Sequence, residues 1–280
     1  MLIIILDNSK ESQRFAKMRK YGRIYFKYKE FIMQKTEEQI ILIDKPAGIS
    51  SFGVVAKVRA RLRDEFGYKI KVGHTGTLDP FATGLLILLS GKMTKRSNEF
   101  LKLDKVYEAT LKLGYVSTTG DPEGEITKFC SQKTKFTEIE EHKGKISNLA
   151  AEGAKQCDKT LDLSHCGASE ISKFCQSFVG KIIQTPPKYS AIKINGERAY
   201  KLARAGKDFD IPSRQVEIYS IDILEYNYPK LKIRVHCSSG TYIRTLAEDI
   251  GKALNTGAYL TALRRISIGQ FNVSDAEPVL

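Results

Sequence analysis

The chain has 280 residues, of which 42% are hydrophobic and 28% charged, and these values are typical of a globular protein with a substantial core. No apolar run approaches the length of a membrane span, and the opening MLIIIL lacks the features of a secretory signal, so we expect a soluble cytoplasmic protein. The formal net charge of +13 favours a polyanionic partner such as nucleic acid, although a generic basic surface gives the same value.

Residues 1–38 are rich in lysine and arginine and have no sustained apolar period. We interpret them as an N-terminal basic extension; a misassigned start before Met33 and a basic RNA-binding arm are the alternatives.

Residues 40–114 predict a succession of strands and helices. IILID at 40–44 and LLILL at 85–89 are short apolar runs typical of buried strands, and KVYEATLKLG at 105–114 alternates as a half-buried strand does. The segment SSFGVVAKVRARLRDEF predicts a helix that begins at a serine cap, Ser50 or Ser51. Its apolar residues fall on one helical face, and they are Val54, Val55, Val58, Leu62 and Phe66.

The second half of the chain begins with residues 128–168, which are polar and lysine-rich and which we interpret as a surface insertion. Helices are then predicted over 169–179 and TYIRTLAEDIGKALN, and strands over VEIYSIDILEY, LKIRVHC and ALRRISIGQFNV. Because the elements alternate without a regular βαβ pattern, we predict an α+β domain over 39–280, built around a mixed, largely antiparallel central sheet flanked by helices and loops.

The five cysteines have irregular spacing and do not suggest a disulfide framework, so we expect reduced thiols. The insertion adds His142 and His165 to its cysteines but contains no Cys-x-x-Cys pair, and we therefore expect no metal site there.

Asp79 is the most unusual acid in the sequence. It lies in VGHTGTLDPFATG, residues 72–84, whose glycines allow the backbone to come close to a ligand. Asp followed by Pro is also a common helix start, in which the carboxylate caps the first turn. The apolar run that follows is short and favours a strand, so we infer a functional carboxylate. His74 in the same segment is a candidate donor to a phosphate or a base, or a hydrogen-bonded structural histidine.

Two further segments have the chemistry of a nucleic-acid site. In CSSGTYIRT, residues 237–245, small residues lead into a helix that presents Tyr242 and Arg244, and an arginine is the natural partner of a buried carboxylate such as Asp79. QTPPKYSAIKINGERAYKLARAG, residues 184–206, predicts a hairpin at Asn195–Gly196 and a basic helix. Its lysines, arginines and tyrosines suit contacts with RNA backbone and bases, although a charged helix face is usually only solvated.

Six segments together resemble the tRNA pseudouridine-55 synthases of the TruB type, over about residues 39–275. They are LIDKPAGISS, GHTGTLDPFATGLL, DKVYEATLKLG, QTPPKYSAIKINGERAYKLARAG, HCSSGTYIRTLAEDIG and LRRISIG. The resemblance implies a pseudouridine synthase fold and an enzyme that isomerises uridine 55 in the T-loop of tRNA without a cofactor. It also implies contact with the T-loop and T-stem, no membrane, and a monomer.

The resemblance assigns a role to each matched residue. Asp79 is the catalytic aspartate, Tyr107 stacks on the target base, and Arg244 pairs with Asp79. The substrate-binding residues are Lys45, which supports the site, His74, which wedges into the T-loop, and Tyr242 and Leu263, which line the base pocket. The family commonly carries a C-terminal PUA module, which we do not expect here because the sequence stops at Pro278–Val279–Leu280.

Two other hypotheses remain open from the sequence. One is an RNA-binding or tRNA-folding factor whose chemistry is secondary, and the intact set of Asp79, Tyr107 and Arg244 argues against it. The other is a synthase that acts on messenger RNA or other hairpins similar to a T-loop.

Overall fold

The computed structural model describes residues 37–130 and 167–279. Residues 1–36 of the N-terminal extension and most of the predicted insertion lie outside these residues. The described chain forms two compact units, one from the residues up to Val106 together with those from Arg264 onward, and the other from Tyr107 to Leu263. Strands β4 and β12 each contribute residues to both units.

The first unit is a small sheet with helices. Its elements are β1 (Ile40–Lys45), α1 (Ser51–Phe66), β2 (Val72–His74), β3 (Thr83–Ser90), α2 (Ser97–Leu101), the end of β12 (Ala258–Ile268), β13 (Phe271–Asn272) and β14 (Glu277–Pro278). β1 pairs antiparallel with β3 and parallel with β14, while β3 also pairs antiparallel with β2 and parallel with β12. The sheet of this unit is therefore mixed, with β3 at its centre.

Both faces of β3 are buried, which explains its uninterrupted apolar sequence. Leu86 and Leu88 pack with the apolar face of α1, while Leu85, Ile87 and Leu89 pack with Phe100 and Phe271 on the opposite face. α1 begins where predicted, because the Ser50 side chain accepts a hydrogen bond from the Gly53 N–H, and it ends at Gly67 in a left-handed conformation.

The second unit is a largely antiparallel sheet. Its elements are β4 (Lys105–Leu113), β5 (Tyr115–Ser117), β6 (Ile126–Lys128), α3 (Ala168–Gln176), β7 (Gly180–Gln184), β8 (Lys193–Ile194), β9 (Glu197–Arg198), α4 (Ala199–Arg204), β10 (Arg214–Asn227), β11 (Lys230–Cys237), α5 (Ile243–Ala253) and the start of β12. The strand order is β12, β4, β11, β10, β7, and the β10–β11 and β10–β7 pairs are antiparallel. These mixed and antiparallel strands, together with the helices, confirm the predicted α+β class.

The alternation predicted for β4 is present along its whole length, since every second residue from Lys105 to Leu113 is buried. The predicted apolar face of α5 is buried as well. Cys175 and Cys237 are buried, and burial raises the pKa of the Cys175 thiol to about 11. Cys130 is disulfide-bonded, so the expectation of reduced thiols is wrong for this residue.

No helix among residues 37–130 and 167–279 is long and apolar enough to cross a membrane.

Candidate active site

Asp79 lies in the loop that connects β2 to β3. The Ala82 N–H donates to the Asp79 carbonyl over 3.1 Å, so Asp79, Pro80, Phe81 and Ala82 form a tight turn with proline at its second position. Strand β3 begins directly afterwards at Thr83, and the alternative in which Asp79 caps a helix is therefore wrong. The Asp79 residue is half-buried.

Two side chains from other elements hold this turn. The Ser51 hydroxyl at the start of α1 accepts from the Leu78 N–H at 2.8 Å and donates to the Leu78 carbonyl at 2.9 Å. On the other side of Asp79, the Pro80 carbonyl accepts from the Gly48 N–H at 2.8 Å and from Lys45 Nζ at 3.1 Å. The residues before and after Asp79 are thus fixed to the β1–α1 connection, which restricts the positions available to its carboxylate.

Lys45 is fully buried, which is rare for a lysine. Its ammonium group donates to the carbonyls of Pro46 and Ile49, each at 2.8 Å, in addition to Pro80. These bonds compensate part of the desolvation cost of the charge. They place the ammonium group against the Asp79 turn, and the supporting role of Lys45 stays a prediction.

Arg265 is a buried residue of β12 that bonds to this loop, and the sequence analysis did not identify it. It is 1% exposed, and its guanidinium donates to the Leu85 carbonyl at 2.7 Å and to the Gly76 carbonyl at 3.1 Å. The pairing of Arg265 with Gly84 across β12 and β3 brings it there. A single arginine thereby joins both ends of the glycine-rich loop.

His74 ends β2 and is half-buried. Its Nδ1 accepts a hydrogen bond of 3.4 Å from the Gly76 N–H, which orients the ring relative to the loop. Its predicted insertion into RNA stays a prediction.

Arg244 lies in the second unit, in the first turn of α5, and is 4% exposed. Its Nη1 donates to the Thr119 carbonyl at 3.0 Å and pairs with Asp121 Oδ2 at 3.1 Å, and its Nη2 donates to the Tyr189 carbonyl at 2.9 Å. Three oxygens from two loops therefore fix the guanidinium. The predicted Arg244–Asp79 pair joins residues of different units and stays a prediction.

Asp121 is the second residue that the sequence analysis did not identify, and its side chain is as buried as that of Arg244. Its Oδ1 accepts from the Thr119 hydroxyl at 2.5 Å and from the Glu123 N–H at 3.0 Å. A side chain on the neighbouring Gly120 would overlap Glu248, since an added Cβ would be 2.4 Å from Glu248 Oε1. The loop therefore packs tightly on α5, and Asp121 reaches Arg244 from this position.

The carboxyls next to Arg244 on α5 are also desolvated. Burial raises the pKa of Glu248, and the negative charges of Asp249 and Asp121 add to this effect, while Lys252 and Arg244 oppose it. Burial likewise raises the pKa of Asp249. This part of α5 therefore combines a fixed guanidinium with acids that resist ionisation.

Tyr242 immediately precedes α5, and its backbone is held by the buried Gln184. The Tyr242 N–H donates to Gln184 Oε1 at 3.0 Å, and Gln184 Nε2 donates to the Tyr242 carbonyl at 3.3 Å. The Arg214 guanidinium lies 4.8 Å from the centre of the Tyr242 ring, within cation–π distance. One face of this ring is thus covered by a cation.

Tyr107 and Leu263 lie on β4 and β12 and are 8% and 7% exposed. β4 and β12 are neighbours in the strand order. The predicted contacts of Tyr107 and Leu263 with a base are not tested by the structure.

The basic segment forms the predicted hairpin. β8 and β9 are joined by Asn195 and Gly196, whose φ angles of 49° and 87° fit a type I′ turn. In the helix that follows, Arg204 lies 5.7 Å from the centre of the Tyr200 ring. The segment therefore presents cations and aromatic rings together, as contact with a nucleic acid requires.

The chain matches two family models over most of its length. The TruB family pseudouridylate synthase N-terminal domain matches residues 63–155 and 143–243, and the tRNA pseudouridylate synthase B C-terminal domain matches residues 244–279. Among solved structures, a Cbf5-Nop10-Gar1 complex is similar at a TM-score of 0.56 and 26% identity, over 88% of this chain and 54% of that chain.

Curated relatives agree with this result. A tRNA pseudouridine synthase B of Phocaeicola vulgatus is 41% identical over 87% of this chain and 91% of its own length. A relative of the same name from Cupriavidus pinatubonensis is 40% identical over 85% of this chain, which spans 64% of that relative. The fold and the matches define a pseudouridine synthase, an isomerase. Within that class, the chain belongs to the TruB family.

Proposed function

We propose that this enzyme isomerises uridine 55 in the T-loop of tRNA to pseudouridine, acting as a cytoplasmic monomer, with Asp79 as its catalytic residue. The relatives named tRNA pseudouridine synthase B support the substrate. The observation that carries the catalytic assignment is the turn at Asp79, which Ser51 and Lys45 hold from both sides. A carboxylate needs such support to act at a defined atom of a bound base.

The reaction breaks the bond between uracil N1 and ribose C1′ and forms a bond between C5 and C1′. The proton on C5 is lost, and N1 gains a proton. No group leaves the product and nothing is oxidised, so the enzyme has to supply one ionised carboxylate and a pocket that retains the free base while it turns. Asp79 serves as the nucleophile or as the base.

Arg244 keeps Asp79 ionised in this proposal. Burial alone raises the pKa of a carboxyl, and a neighbouring guanidinium opposes that shift. The hydrogen bonds from Arg244 to Asp121, Thr119 and Tyr189 support the role, because they hold the guanidinium rigid and buried. Its five N–H donors are enough for two carboxylates.

The remaining predicted residues bind the RNA. Tyr107 stacks on the target base, Tyr242 and Leu263 line its pocket, and His74 enters the T-loop where the uridine leaves the stack. Flipping the base costs roughly a few kcal/mol, and the contacts of the basic hairpin with the backbone offset this cost.

The experiment compares two tRNA transcripts that differ only at position 55, one with uridine and one with cytidine. Chemical mapping after incubation with the enzyme is expected to show pseudouridine at position 55 of the first transcript and none in the second. Pseudouridine at another position in both transcripts would contradict the proposed site.

A further inference from the structure

Phe52 is the most exposed aromatic side chain in the part of the chain that the structure describes, with 65% of its surface accessible. It lies in the first turn of α1, directly after Ser51. Ser51 is the residue that holds Leu78, the neighbour of Asp79. An apolar ring is therefore exposed to solvent one residue away from the contact that fixes the proposed catalytic turn. In this position the ring buries little apolar area and adds little to the stability of the fold.

A cation accompanies this ring. The Arg59 guanidinium lies 5.8 Å from the centre of the Phe52 ring. The same guanidinium donates to the Val72 carbonyl at 3.3 Å, in the strand that ends at His74. Arg59 thereby connects the exposed ring on α1 with the strand that leads into the Asp79 loop. The pair has a fixed position relative to that loop, within one compact unit.

The rest of this helix face is small and basic. Ala56 and Ala60 follow Phe52 at helical spacing and are exposed, so neither brings a large side chain to the ring, and Arg59 is the residue of α1 that lies over it. Lys57 and Arg63 are also exposed on the helix. The surface thus combines one accessible aromatic face with several cations and has no acid until Asp64.

We propose that Phe52 and Arg59 form a stacking site for an unpaired nucleobase of the RNA substrate, adjacent to the site of the flipped uridine. A single aromatic face beside arginine suits a base, which offers a π-face of the same size and a phosphate at a short distance. A stable protein interface needs about 800 Å² per partner, far more than one ring and two alanines supply. The inference rests on the proposed function, because it takes the RNA substrate from it.

The test measures the affinity of the full-length protein for tRNA in an Asp79→Asn background, so that the RNA stays unmodified. Base stacking is worth about 1–3 kcal/mol per base, so Phe52→Ala is expected to raise Kd by about 5- to 140-fold. Phe52→Leu is expected to bind as weakly as the alanine variant, since it keeps apolar area but loses the ring. Phe52→Trp is expected to restore binding.

Two further measurements and a control variant separate the loss of stacking from a loss of folding or of electrostatic contacts. The slope of log Kd against log salt concentration is expected to be the same for Phe52→Ala and its parent, because stacking releases no counterions. Tyr68 is 49% exposed beyond the other end of α1, and Tyr68→Ala is the matched control, which is expected to bind tRNA like the parent. The thermal midpoint of Phe52→Ala is expected to stay close to that of the parent, since the side chain is mostly exposed.

Tight binding by Phe52→Ala, or full rescue by Phe52→Leu, would overturn the stacking site. So would a change of oligomeric state in Phe52→Ala without a change in tRNA affinity, which would assign the surface to a second copy of the chain. Wild-type enzyme assayed on the same tRNA separates the two proposals. If it forms pseudouridine 55 while the Phe52 variants bind normally, only the stacking site is wrong; if it neither binds nor modifies tRNA, the proposed function is wrong.

Discussion

Gly84 shows how little freedom single residues have around the proposed catalytic loop. Its φ is +102°, and an added Cβ would be 2.2 Å from the Arg265 carbonyl oxygen and 2.7 Å from the Arg265 amide nitrogen. Both atoms are backbone, so neither a side-chain rotation nor a small shift can remove the overlap. Arg265 also donates to the Gly76 carbonyl, so a shift of Arg265 would change the conformation of the loop that contains Asp79.

Gly84→Ala is expected to lower the free energy of unfolding by about 3 kcal/mol or more, since backbone strain and overlap add together. Urea denaturation followed by circular dichroism measures this. Gly67→Ala is the control, because Gly67 has a φ of +82° but no atom within 4 Å, and it carries only the conformational cost of about 1–2 kcal/mol. Equal losses in the two variants would show that β12 does not constrain Gly84.

Asp79 could be singled out from the sequence because glycine, threonine and proline around an acid are a local signal. Arg265 and Asp121 could not. Arg265 reaches Leu85 across 180 positions of the chain, and Asp121 reaches Arg244 across 123. Such contacts depend on strand register and loop packing, and nothing near either residue in the sequence indicates its partner.

At the scale of the element, α1 serves the site through its first turn. Ser50 and Ser51 are adjacent hydroxyls with different roles: Ser50 caps the helix by accepting from the Gly53 N–H, and Ser51 bonds both backbone groups of Leu78. The pair allows the stability of the helix to be separated from the support of the loop.

Ser51→Ala is expected to lower the rate of pseudouridine formation by about tenfold or more and stability by about 1–3 kcal/mol, because it leaves the buried Leu78 N–H without its acceptor. Ser50→Ala is expected to cost about 1 kcal/mol of stability and to leave the rate nearly unchanged. Single-turnover assays and urea denaturation give the two numbers. A greater loss of rate in Ser50→Ala would contradict the role given to Ser51.

α5 makes stability depend on pH. Burial raises the pKa of Glu248 in the folded protein above its ordinary value of 4.5, so the folded state binds this proton more tightly than the unfolded state does. The contribution of the protonated Glu248 to the free energy of unfolding is fully present below pH 4.5. It is lost as the pH rises through the raised pKa of Glu248 in the folded protein. Stability should therefore decrease with pH across this window.

Glu248→Gln is expected to raise the thermal midpoint at neutral pH and to leave it nearly unchanged below the ordinary pKa of glutamate, because glutamine has no proton to lose. Thermal melts across this range measure the difference from the parent, with Glu197→Gln at an exposed site as the control. A gain of equal size at acidic and neutral pH would show that burial of charge is not the cause.

Most elements of the fold were predictable, and each exception has a physical cause. The helices at Ser51–Phe66 and Ile243–Ala253 and the alternating strand Lys105–Leu113 have long, clear periods in the sequence. β2 and β7 were not predicted, and the single strand predicted over ALRRISIGQFNV is wrong, because β12 ends at Ile268 and turns back into β13. β2 has only three residues, and β7 alternates weakly because it pairs with β10 on one side and leaves Ile183 exposed.

For the whole molecule, the structure shows where some of the cations that contribute to the net charge of +13 lie. Cations lie near aromatic side chains on α1, beside Tyr242 and on α4, at Phe52–Arg59, Arg214–Tyr242 and Tyr200–Arg204. Each pair joins an electrostatic contact with a stacking surface, as single-stranded or flipped bases require. Charge alone could not have predicted these pairs, since they depend on which faces of the helices and strands reach the surface.

The most direct test of the central claim is the rate of pseudouridine formation by Asp79→Asn at position 55 of tRNA, under single-turnover conditions. The substitution keeps the size of the side chain and removes its charge, so the account predicts a fall of about 10⁴-fold or more, with tRNA still bound. Asp64→Asn, at an exposed acid paired with Arg63, is the control and should react at the wild-type rate. If Asp79→Asn formed pseudouridine as fast as the wild type, Asp79 would not be the catalytic residue.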